Sequence, residues 1–334
     1  GLGDVYKRQL LTLVIINLTF FFNLNYFAKK LNLFDHPDNN RKIHNKLIPL
    51  LGGPILFFNI SLFLIYELLN VSTSNYIVLF LIVTVYFIIS LINDKKNIDP
   101  KYRLIIFYII FLLWVYLDEE MLIKNLYFNF LDLNINLGKW SILITPLFIL
   151  IFFNALNLFD GVNLQTISYT LIYFLFLYLN KIPVASYYPL GVFVIFFIFY
   201  NFKNRIFLGD SGVAIIAIIL SFLTITNYNN SQEFFCEEIF FIMFLPGVDM
   251  VRLYFQRILK GKHPFAADNN HIHHYLSKFL KYKYVFTFQL FFYLMSIFSV
   301  YYLKINTIHA LFSMFMIYVI VFICCYRNRI ITEY

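Results

Sequence analysis

Long apolar segments are the feature that most constrains how this chain can fold. Runs of roughly 17–25 mostly apolar residues recur along its 334 residues, and each is long enough for a helix to cross the ~30 Å hydrocarbon layer of a membrane. Only 13% of the residues are charged, whereas about a quarter are charged in soluble domains. A transmembrane barrel would instead show alternating segments of ~10 residues. The pattern predicts an all-α polytopic membrane protein and excludes an ordinary soluble domain.

The apolar runs predict about eleven transmembrane helices in one membrane domain that covers residues 10–334. Leu and Ile alternate with Asp and Asn over residues 131–137, which predicts a small β-hairpin between two spans. Residues 1–9 are unlike the sequence that follows, and we interpret them as a non-native or fragment edge. The predicted spans are residues 10–28, 50–69, 76–92, 103–117, 140–156, 165–179, 183–200, 212–227, 234–255, 285–303 and 306–325.

Loop charge predicts the orientation of these spans. Twenty Lys and Arg residues lie on one side of the predicted membrane and four on the other, and cytoplasmic loops carry the excess of such residues. The basic side consists of residues 29–49, 93–103, 201–211 and 252–284 and the C-terminal tail. We therefore predict that these loops face the cytoplasm and that the hairpin lies on the outer side.

Two polar segments of the basic side, residues 34–53 and 92–103, combine cations that suit an anionic group. The cations are Arg41, Lys42 and His44 in the first segment and Lys96, Lys101 and Arg103 in the second. In the first segment, Gly52–Gly53 would let another backbone or a ligand come close. In the second, Asn93 and Asp94 end a predicted span. The alternative for the first segment is contact with anionic lipid, and the alternative for the second is a solvated turn.

Two further segments carry oxygen ligands at span ends. Asn154, Asn157 and Asp160 are spaced i, i+3, i+6, so a helix presents them on one face, where they would be costly against lipid. Asp210 lies in FLGDSG at the start of a span, where a helix N-terminus favours anions and a carboxylate could hold a metal. Alternatively, Asp210 or Ser211 simply caps that helix.

The fifth segment, residues 246–275, pairs Asp249 with Arg252 at i, i+3 and continues into a histidine-rich stretch. The polar residues of this stretch are Asp268, His271, His273 and His274. A zinc site needs at least three nitrogen or sulfur ligands, and adjacent histidines on regular backbone would point apart. A solvated loop is another alternative. We favour phosphate binding by histidine and arginine, with Asp and Asn oxygens better suited to Mg²⁺ or Mn²⁺.

Taken together, the motifs RKIH…PLLGG, NDKK, NALNLFDGVNLQ, GDSG and PFAADNNHIHHYL resemble those of the polyprenyl-phosphate N-acetylhexosamine-1-phosphate transferases, glycosyltransferase family 4. They extend over residues 35–276, and the PF…D…HxHH form resembles the branch that starts O-antigen and enterobacterial common antigen synthesis. The resemblance implies a catalytic domain in the bacterial inner (plasma) membrane with a cytoplasmic active site. It would transfer a HexNAc 1-phosphate from a UDP-sugar to undecaprenyl phosphate and release UMP, which starts lipid-linked surface polysaccharide, such as lipopolysaccharide.

The resemblance also implies roles for individual residues. Asn157 and Asp210 would bind Mg²⁺, with Mn²⁺ as a substitute, and Asp94 would lie beside the lipid phosphate. The catalytic residues would be Asn93, Asp94 and Asp160. The substrate-binding residues would be Arg41, Lys42, His44, Lys96, Lys101, Arg103, Asn154, Asn163, Arg252, Asp268, His271, His273 and His274. These segments are expected to meet in one pocket at the inner face of the membrane.

Two positions depart from the family pattern. Asn93 stands where an Asp-Asp pair usually begins, and Asn163 replaces the second Asp of D-G-x-D. The first departure is compatible with activity, because a phosphate monoester has a second pKa near 6 and is largely ionised at pH 7. A non-catalytic relative, a zinc hydrolase and a transporter or flippase of lipid-linked sugars remain alternatives. A transporter should carry charges at mid-membrane, whereas Glu67 lies near the outer end of its predicted span. We expect no nucleic-acid partner; a homodimer and the choice of sugar stay open.

Overall fold

The computed structural model describes residues 2–37, 46–70, 74–96, 98–182, 188–230, 234–265 and 270–332. The helices are α1 (Leu2–Phe22), α2 (Leu24–Leu31), α3 (Gly52–Asn70), α4 (Ser74–Lys96), α5 (Pro100–Leu117), α6 (Ser141–Phe159), α7 (Gln165–Leu179), α8 (Tyr188–Phe202), α9 (Gly209–Asn230), α10 (Cys236–Ile242), α11 (Phe244–Leu259), α12 (Ile272–Leu276), α13 (Val285–Tyr301) and α14 (Thr307–Thr332). The strands are β1 (Phe34–Asp35), β2 (Ile48–Pro49), β3 (Asn125–Phe128) and β4 (Leu133–Asn136).

The described residues form an all-α polytopic membrane protein, as the sequence predicts. Among them, seven helical segments are long and apolar enough to cross a membrane, and they contain α3, α4, α5, α6, α9, α13 and much of α14. The pair α1 and α2 would add an eighth, although the chain bends by 76° between them. α7 and α8 have 15 residues each, about 22 Å of helix, which is short of the ~30 Å layer. The number of eleven spans is therefore not established.

The predicted span at residues 234–255 is two helices, α10 and α11, rather than one. Pro246 has no N–H to donate to the carbonyl of Ile242 four residues earlier. The hydroxyls of Tyr169 and Tyr293 donate to that carbonyl instead, at 3.2 and 2.7 Å. Side chains from α7 and α13 thus replace the backbone hydrogen bond that proline removes, which a buried helix break requires.

The predicted hairpin is present. β3 and β4 pair antiparallel, with Asn125 opposite Asn136 and Phe128 opposite Leu133, and Asp132 has a φ of 49° in the connecting turn. β4 is exposed along its whole length, so the alternation that predicted it does not mark a buried face. The side of the membrane on which the hairpin lies is still a prediction.

The chain divides into two compact units, each with its own core. The first is Gly1–Asp118 with Val184–Ile219, and the second is Glu119–Pro183 with Leu220–Tyr334. In the first, the buried amides of Asn17 and Asn59 exchange hydrogen bonds of 2.6 and 3.3 Å between α1 and α3, as polar groups between membrane helices do. In the second, the hydroxyls of Tyr173 and Thr224 share a 2.7 Å hydrogen bond. That the units act as one catalytic domain over residues 10–334 is still a prediction.

Candidate functional site

In the first unit, Asp210 is the centre of a polar cluster at the start of α9. Its Oδ2 atom accepts a hydrogen bond from Nη1 of Arg103 at 2.7 Å and another from Nδ2 of Asn93. The side chains of Arg103 and Asp210 remain 15% and 33% exposed. Because hydrogen bonds to an ionised group are strong, the Asp210 carboxylate joins α4, α5 and α9. The Asp210 carboxylate is thus held in place yet reachable from solvent.

Asn93 uses both ends of its amide group. While Nδ2 donates to Asp210, Oδ1 accepts the N–H of Ile98 at 2.8 Å. The next residue, Asp99, caps α5 through its side chain, and a proline occupies the first helical position. This local folding explains how Arg103, in the first turn of α5, reaches the end of α4. A carboxylate in place of the Asn93 amide could not donate to Asp210.

Asp94 caps α9 from the neighbouring helix α4. Its Oδ1 atom accepts the N–H of Asp210 at 2.8 Å, and its Oδ2 atom accepts from the N–H and Oγ of Ser211 at 3.2 and 2.7 Å. The first N–H groups of a helix lack intrahelical partners and favour a negative charge. The alternative that Asp210 or Ser211 is the N-cap is therefore wrong, since both residues lie inside α9.

The GG and GDSG motifs pack backbone against backbone. The N–H of Gly52 donates to the carbonyl of Phe207 at 3.0 Å, and that of Gly53 donates to the carbonyl of Leu208 at 2.9 Å. A Cβ atom on Gly53 would overlap Oγ of Ser211. The expectation that these glycines permit a close approach is confirmed, and the approaching group is the chain that leads into α9.

The remaining predicted cations of the first unit are exposed or lie outside the described residues. Lys96 and Lys101 are exposed. Arg41, Lys42 and His44 lie outside the described residues, and so does Asp268 in the second unit. Their predicted contacts with substrate are still predictions.

In the second unit, the end of α6 and the turn after it carry the polar face predicted from i, i+3, i+6 spacing. Asn154 is buried and its Nδ2 atom donates to the hydroxyl of Tyr254 on α11. Asp160 ends α6, and its Oδ1 atom accepts from Oγ1 of Thr166 at 2.6 Å. The other two amides of the segment are the half-buried Asn157 and the buried Asn163. Asn154 therefore joins α6 to α11, while a hydroxyl orients Asp160.

His271, His273 and His274 form one cluster of imidazole rings around α12. The ring centroids of His271 and His273 are 5.1 Å apart, and those of His273 and His274 are 4.4 Å apart. Contrary to the expectation that adjacent histidines point apart, the rings of His273 and His274 lie side by side, although consecutive side chains leave a helix about 100° apart. In the described parts of the chain, however, no group of three or more His, Cys, Asp or Glu side chains is arranged to hold a metal. The cluster does not favour zinc.

His273 is the most deeply placed ring of the cluster. It is 2% exposed and packs on Gly161, where a Cβ atom would overlap the imidazole. Burial, followed by the nearby His274, His271 and Arg252, lowers the pKa of His273 well below its ordinary value. At neutral pH the ring is therefore uncharged and offers a single N–H donor.

Arg252 lies beside this cluster in an ion pair with Asp249. Nη2 of Arg252 is 2.6 Å from Oδ1 of Asp249, and Nδ1 of His271 is 3.8 Å from Oδ2 of the same carboxylate. Asp249 is 3% exposed, so its charge is compensated inside the protein.

The clusters include side chains that the sequence did not single out, namely Thr166, Tyr254 and Tyr318, whose hydroxyl donates to Oδ1 of Asp249 at 2.9 Å. Thr166 follows Asp160 by only six residues and could have been found as a local hydrogen-bond partner. The two tyrosines are among 26 in the chain and lie in apolar runs, where nothing marks a functional hydroxyl. Asn157 and Asp210 belong to different units, so their common metal site is still a prediction.

Known proteins resemble the chain over most of its length. The model of glycosyl transferase family 4 matches residues 76–228, which include Asn93, Asp94, Asn157 and Asp210. An undecaprenyl-phosphate alpha-N-acetylglucosaminyl 1-phosphate transferase of Escherichia coli O157:H7 is 25% identical over 292 residues, or 81% of this chain and 76% of that protein. A probable undecaprenyl-phosphate N-acetylglucosaminyl 1-phosphate transferase of Bacillus subtilis is 26% identical over 293 residues, with 81% and 76% covered. The Yersinia pestis relative is 22% identical over 291 residues, with 81% and 77% covered.

Proposed function

We propose that the chain is an enzyme of glycosyl transferase family 4 that transfers an N-acetylhexosamine 1-phosphate from a UDP-sugar to undecaprenyl phosphate and releases UMP. The observation that carries the proposal is the match to undecaprenyl-phosphate GlcNAc 1-phosphate transferases over four fifths of the chain, in both an enterobacterium and a Bacillus. UDP-GlcNAc is therefore the first donor to test. The product would start a lipid-linked surface polysaccharide.

The proposed reaction exchanges one phosphorus–oxygen bond for another. An oxygen of the lipid phosphate forms a bond to the β-phosphorus of the donor, which bears the sugar. The bond from that phosphorus to the oxygen bridging to the α-phosphorus breaks, and UMP leaves with the electron pair. Both substrates are anionic, so positioning and cationic groups provide most of the catalysis. No general base is required, since the lipid phosphate is largely ionised at pH 7.

The first cluster suits the reacting phosphates. Arg103 supplies a permanent positive charge and Asp210 a partly exposed hard oxygen ligand. Mg²⁺, for which Mn²⁺ could substitute, typically binds one or two carboxylates together with substrate phosphates, so the Asp210 carboxylate suits the ion, and Asn157 stays its second proposed ligand. When bound, it would neutralise charge on the phosphoryl oxygens. Asp94 contributes by holding the first turn of α9, and with it Asp210, in position.

The second cluster suits the nucleotide diphosphate. The three imidazoles and the side chains at the end of α6 provide donors and acceptors within one unit. His273 is uncharged at neutral pH, so His271 and His274 are the better partners for phosphate oxygens. Asp160 and Asn163 would shape the nucleotide pocket.

We also assign the protein to the bacterial inner membrane with its polar span ends facing the cytoplasm. The excess of Lys and Arg in the loops beside these ends supports this orientation, and a UDP-sugar is a cytoplasmic metabolite. The hairpin of β3 and β4 would then lie on the outer side, and eleven crossings would place successive loops on opposite sides of the membrane.

The test is to incubate purified protein in detergent with undecaprenyl phosphate, Mg²⁺ and a panel of UDP-HexNAc donors, and to weigh the lipid product by mass spectrometry. We expect undecaprenyl diphospho-HexNAc and an equal amount of UMP. Asp210→Asn should abolish both products. Asp132→Asn, in the exposed hairpin turn, is the matched control, because asparagine tolerates the same left-handed backbone. The absence of lipid product and UMP with every donor would refute the proposal.

A further inference from the structure

The buried carboxylate of Asp249 joins three helices of the second unit. Its Oδ1 atom accepts hydrogen bonds from Nη2 and Nε of Arg252, at 2.6 and 3.1 Å, and from the hydroxyl of Tyr318 at 2.9 Å. Its Oδ2 atom accepts the N–H of Ile272 at 3.3 Å. Asp249 and Arg252 lie on α11, Tyr318 on α14 and Ile272 on α12. We refer to Asp249, Arg252 and Tyr318 as the Asp249 clasp.

The guanidinium of Arg252 is already committed to partners inside the protein. Besides Asp249, its Nη2 atom donates to the carbonyl of Asn270 at 2.7 Å, and its Nη1 atom donates to Oε1 of Gln256 at 3.0 Å. Its carbon atom Cζ lies 4.6 Å from the ring centroid of Phe322, a cation–π contact. Four of its five N–H groups thus have partners, and an aromatic ring covers the guanidinium plane. Such a group is poorly placed to grip a diphosphate.

The clasp holds the backbone on both sides of His271. Arg252 binds the carbonyl of Asn270, one residue before His271, and Asp249 binds the N–H of Ile272, one residue after it. α12, which begins there, has only five residues, far fewer than a helix needs for stability of its own. The position of the imidazole cluster therefore depends on these tertiary hydrogen bonds.

We propose that Arg252 is a positioning residue rather than a diphosphate ligand: together with Asp249 and Tyr318, it fixes His271–His274 for donor binding. The C-terminal helix α14 thereby becomes part of the machinery that holds the UDP-sugar, although neither Arg252 nor Tyr318 contacts it. This assignment rests on the proposed function insofar as the ligand is a UDP-sugar. The anchoring of the histidine segment is independent of it.

The test compares Tyr318→Phe and Arg252→Lys with Tyr326→Phe. Tyr326 is on the same helix, its ring is near Tyr275 and Phe322, and it is 40% exposed. Hydrogen–deuterium exchange of the amides in residues 270–277 measures how firmly this segment is anchored. Initial rates of UMP release give KM for the UDP-sugar and kcat separately. All variants are compared with wild type for their unfolding temperature.

Tyr318→Phe removes a hydrogen bond to the charged carboxylate of Asp249. This loss should speed amide exchange in residues 270–277 about tenfold or more. KM for the UDP-sugar should rise on the order of tenfold in Tyr318→Phe and Arg252→Lys, with kcat changed less than about threefold. Tyr326→Phe should match wild type in all respects. Lysine keeps the positive charge, so a direct role in binding the diphosphate would largely survive Arg252→Lys. The guanidinium group that bonds Asp249 and Asn270 at the same time would be lost.

Two results would overturn the assignment. Wild-type exchange in Tyr318→Phe would show that the clasp does not anchor the segment. A wild-type KM in Tyr318→Phe, combined with a collapse of kcat on changing Arg252, would instead indicate that Arg252 touches the reacting phosphates. If wild-type protein released no UMP from any donor, the proposed function would fail, and the exchange comparison would still decide whether the clasp exists.

Discussion

Asp94→Asn is the substitution whose effect follows most directly from the structure. The carboxylate of Asp94 accepts three hydrogen bonds from the first turn of α9, one through Oδ1 and two through Oδ2. An asparagine has the same shape but only one acceptor oxygen. If that oxygen serves Ser211, the new NH₂ group must face the N–H of Asp210, and both donors lose their partner.

The magnitude can be worked out from these contacts. Losing a hydrogen bond to a charged acceptor costs about 1.5–3 kcal/mol, and removing a negative charge from a helix N-terminus costs about 0.3–2 kcal/mol. Together these losses destabilise the arrangement around Asp210 by about 2–5 kcal/mol. If all of this free energy is lost from the reactive arrangement, kcat/KM falls about 30- to 5000-fold.

The assay is UMP release with saturating undecaprenyl phosphate, together with the unfolding temperature in the same detergent. The matched control is Asp99→Asn, also at a helix N-terminus, where the side chain accepts the N–H of Lys101 at 2.8 Å. Asparagine is an equally good N-cap, so this variant should retain nearly wild-type stability and rate. An Asp94→Asn enzyme with wild-type turnover and unfolding temperature would refute the reasoning.

Four further predictions concern the same clusters. Asn93→Asp should remain active and require less Mg²⁺ for half-maximal rate, because a second carboxylate beside Asp210 adds attraction for the cation; an inactive variant would contradict this. Gly53→Ala should lower the unfolding temperature by several degrees, because its Cβ overlaps Ser211, and an unchanged temperature would count against the packing role. The free energy of unfolding should fall as the pH drops below about 6.5, because the pKa of His273 is lowered in the folded state and the unfolded chain then binds more protons. His273→Asn should flatten this pH dependence, and equal pH profiles of stability for the variant and wild type would argue against the role of His273. Removing divalent cations with EDTA should abolish UMP release and added Mg²⁺ restore it, whereas recovery with zinc alone would favour a zinc enzyme.

The helical membrane fold follows from hydrophobic length alone, but its breaks do not. Pro246 is visible in the sequence, yet a proline within an apolar run is compatible with a kinked span. The hydroxyls of Tyr169 and Tyr293, distant in sequence, replace the missing hydrogen bond to the carbonyl of Ile242 where the helices meet. A prediction from local pattern therefore finds the segment and misses its interruption.

In the candidate site, too, the sequence indicates which residues are important but does not indicate their partners. Asp94, Asp210 and Arg103 could be singled out because charged groups at the ends of apolar runs need a reason. That Asp94 caps α9, and that Arg252 holds the chain around His271, depends on contacts between helices far apart in sequence. The sequence indicates which groups are costly to bury, whereas the fold decides which partner compensates each.

In the proposed reaction a sugar phosphate, and not a sugar alone, moves to the lipid. Incubation with UDP-GlcNAc labelled with ³²P at the β-phosphate, undecaprenyl phosphate and Mg²⁺ tests this directly. We expect the label to enter the lipid fraction and the released nucleotide to be unlabelled UMP. Label that leaves as UDP while the lipid gains only the sugar would contradict it.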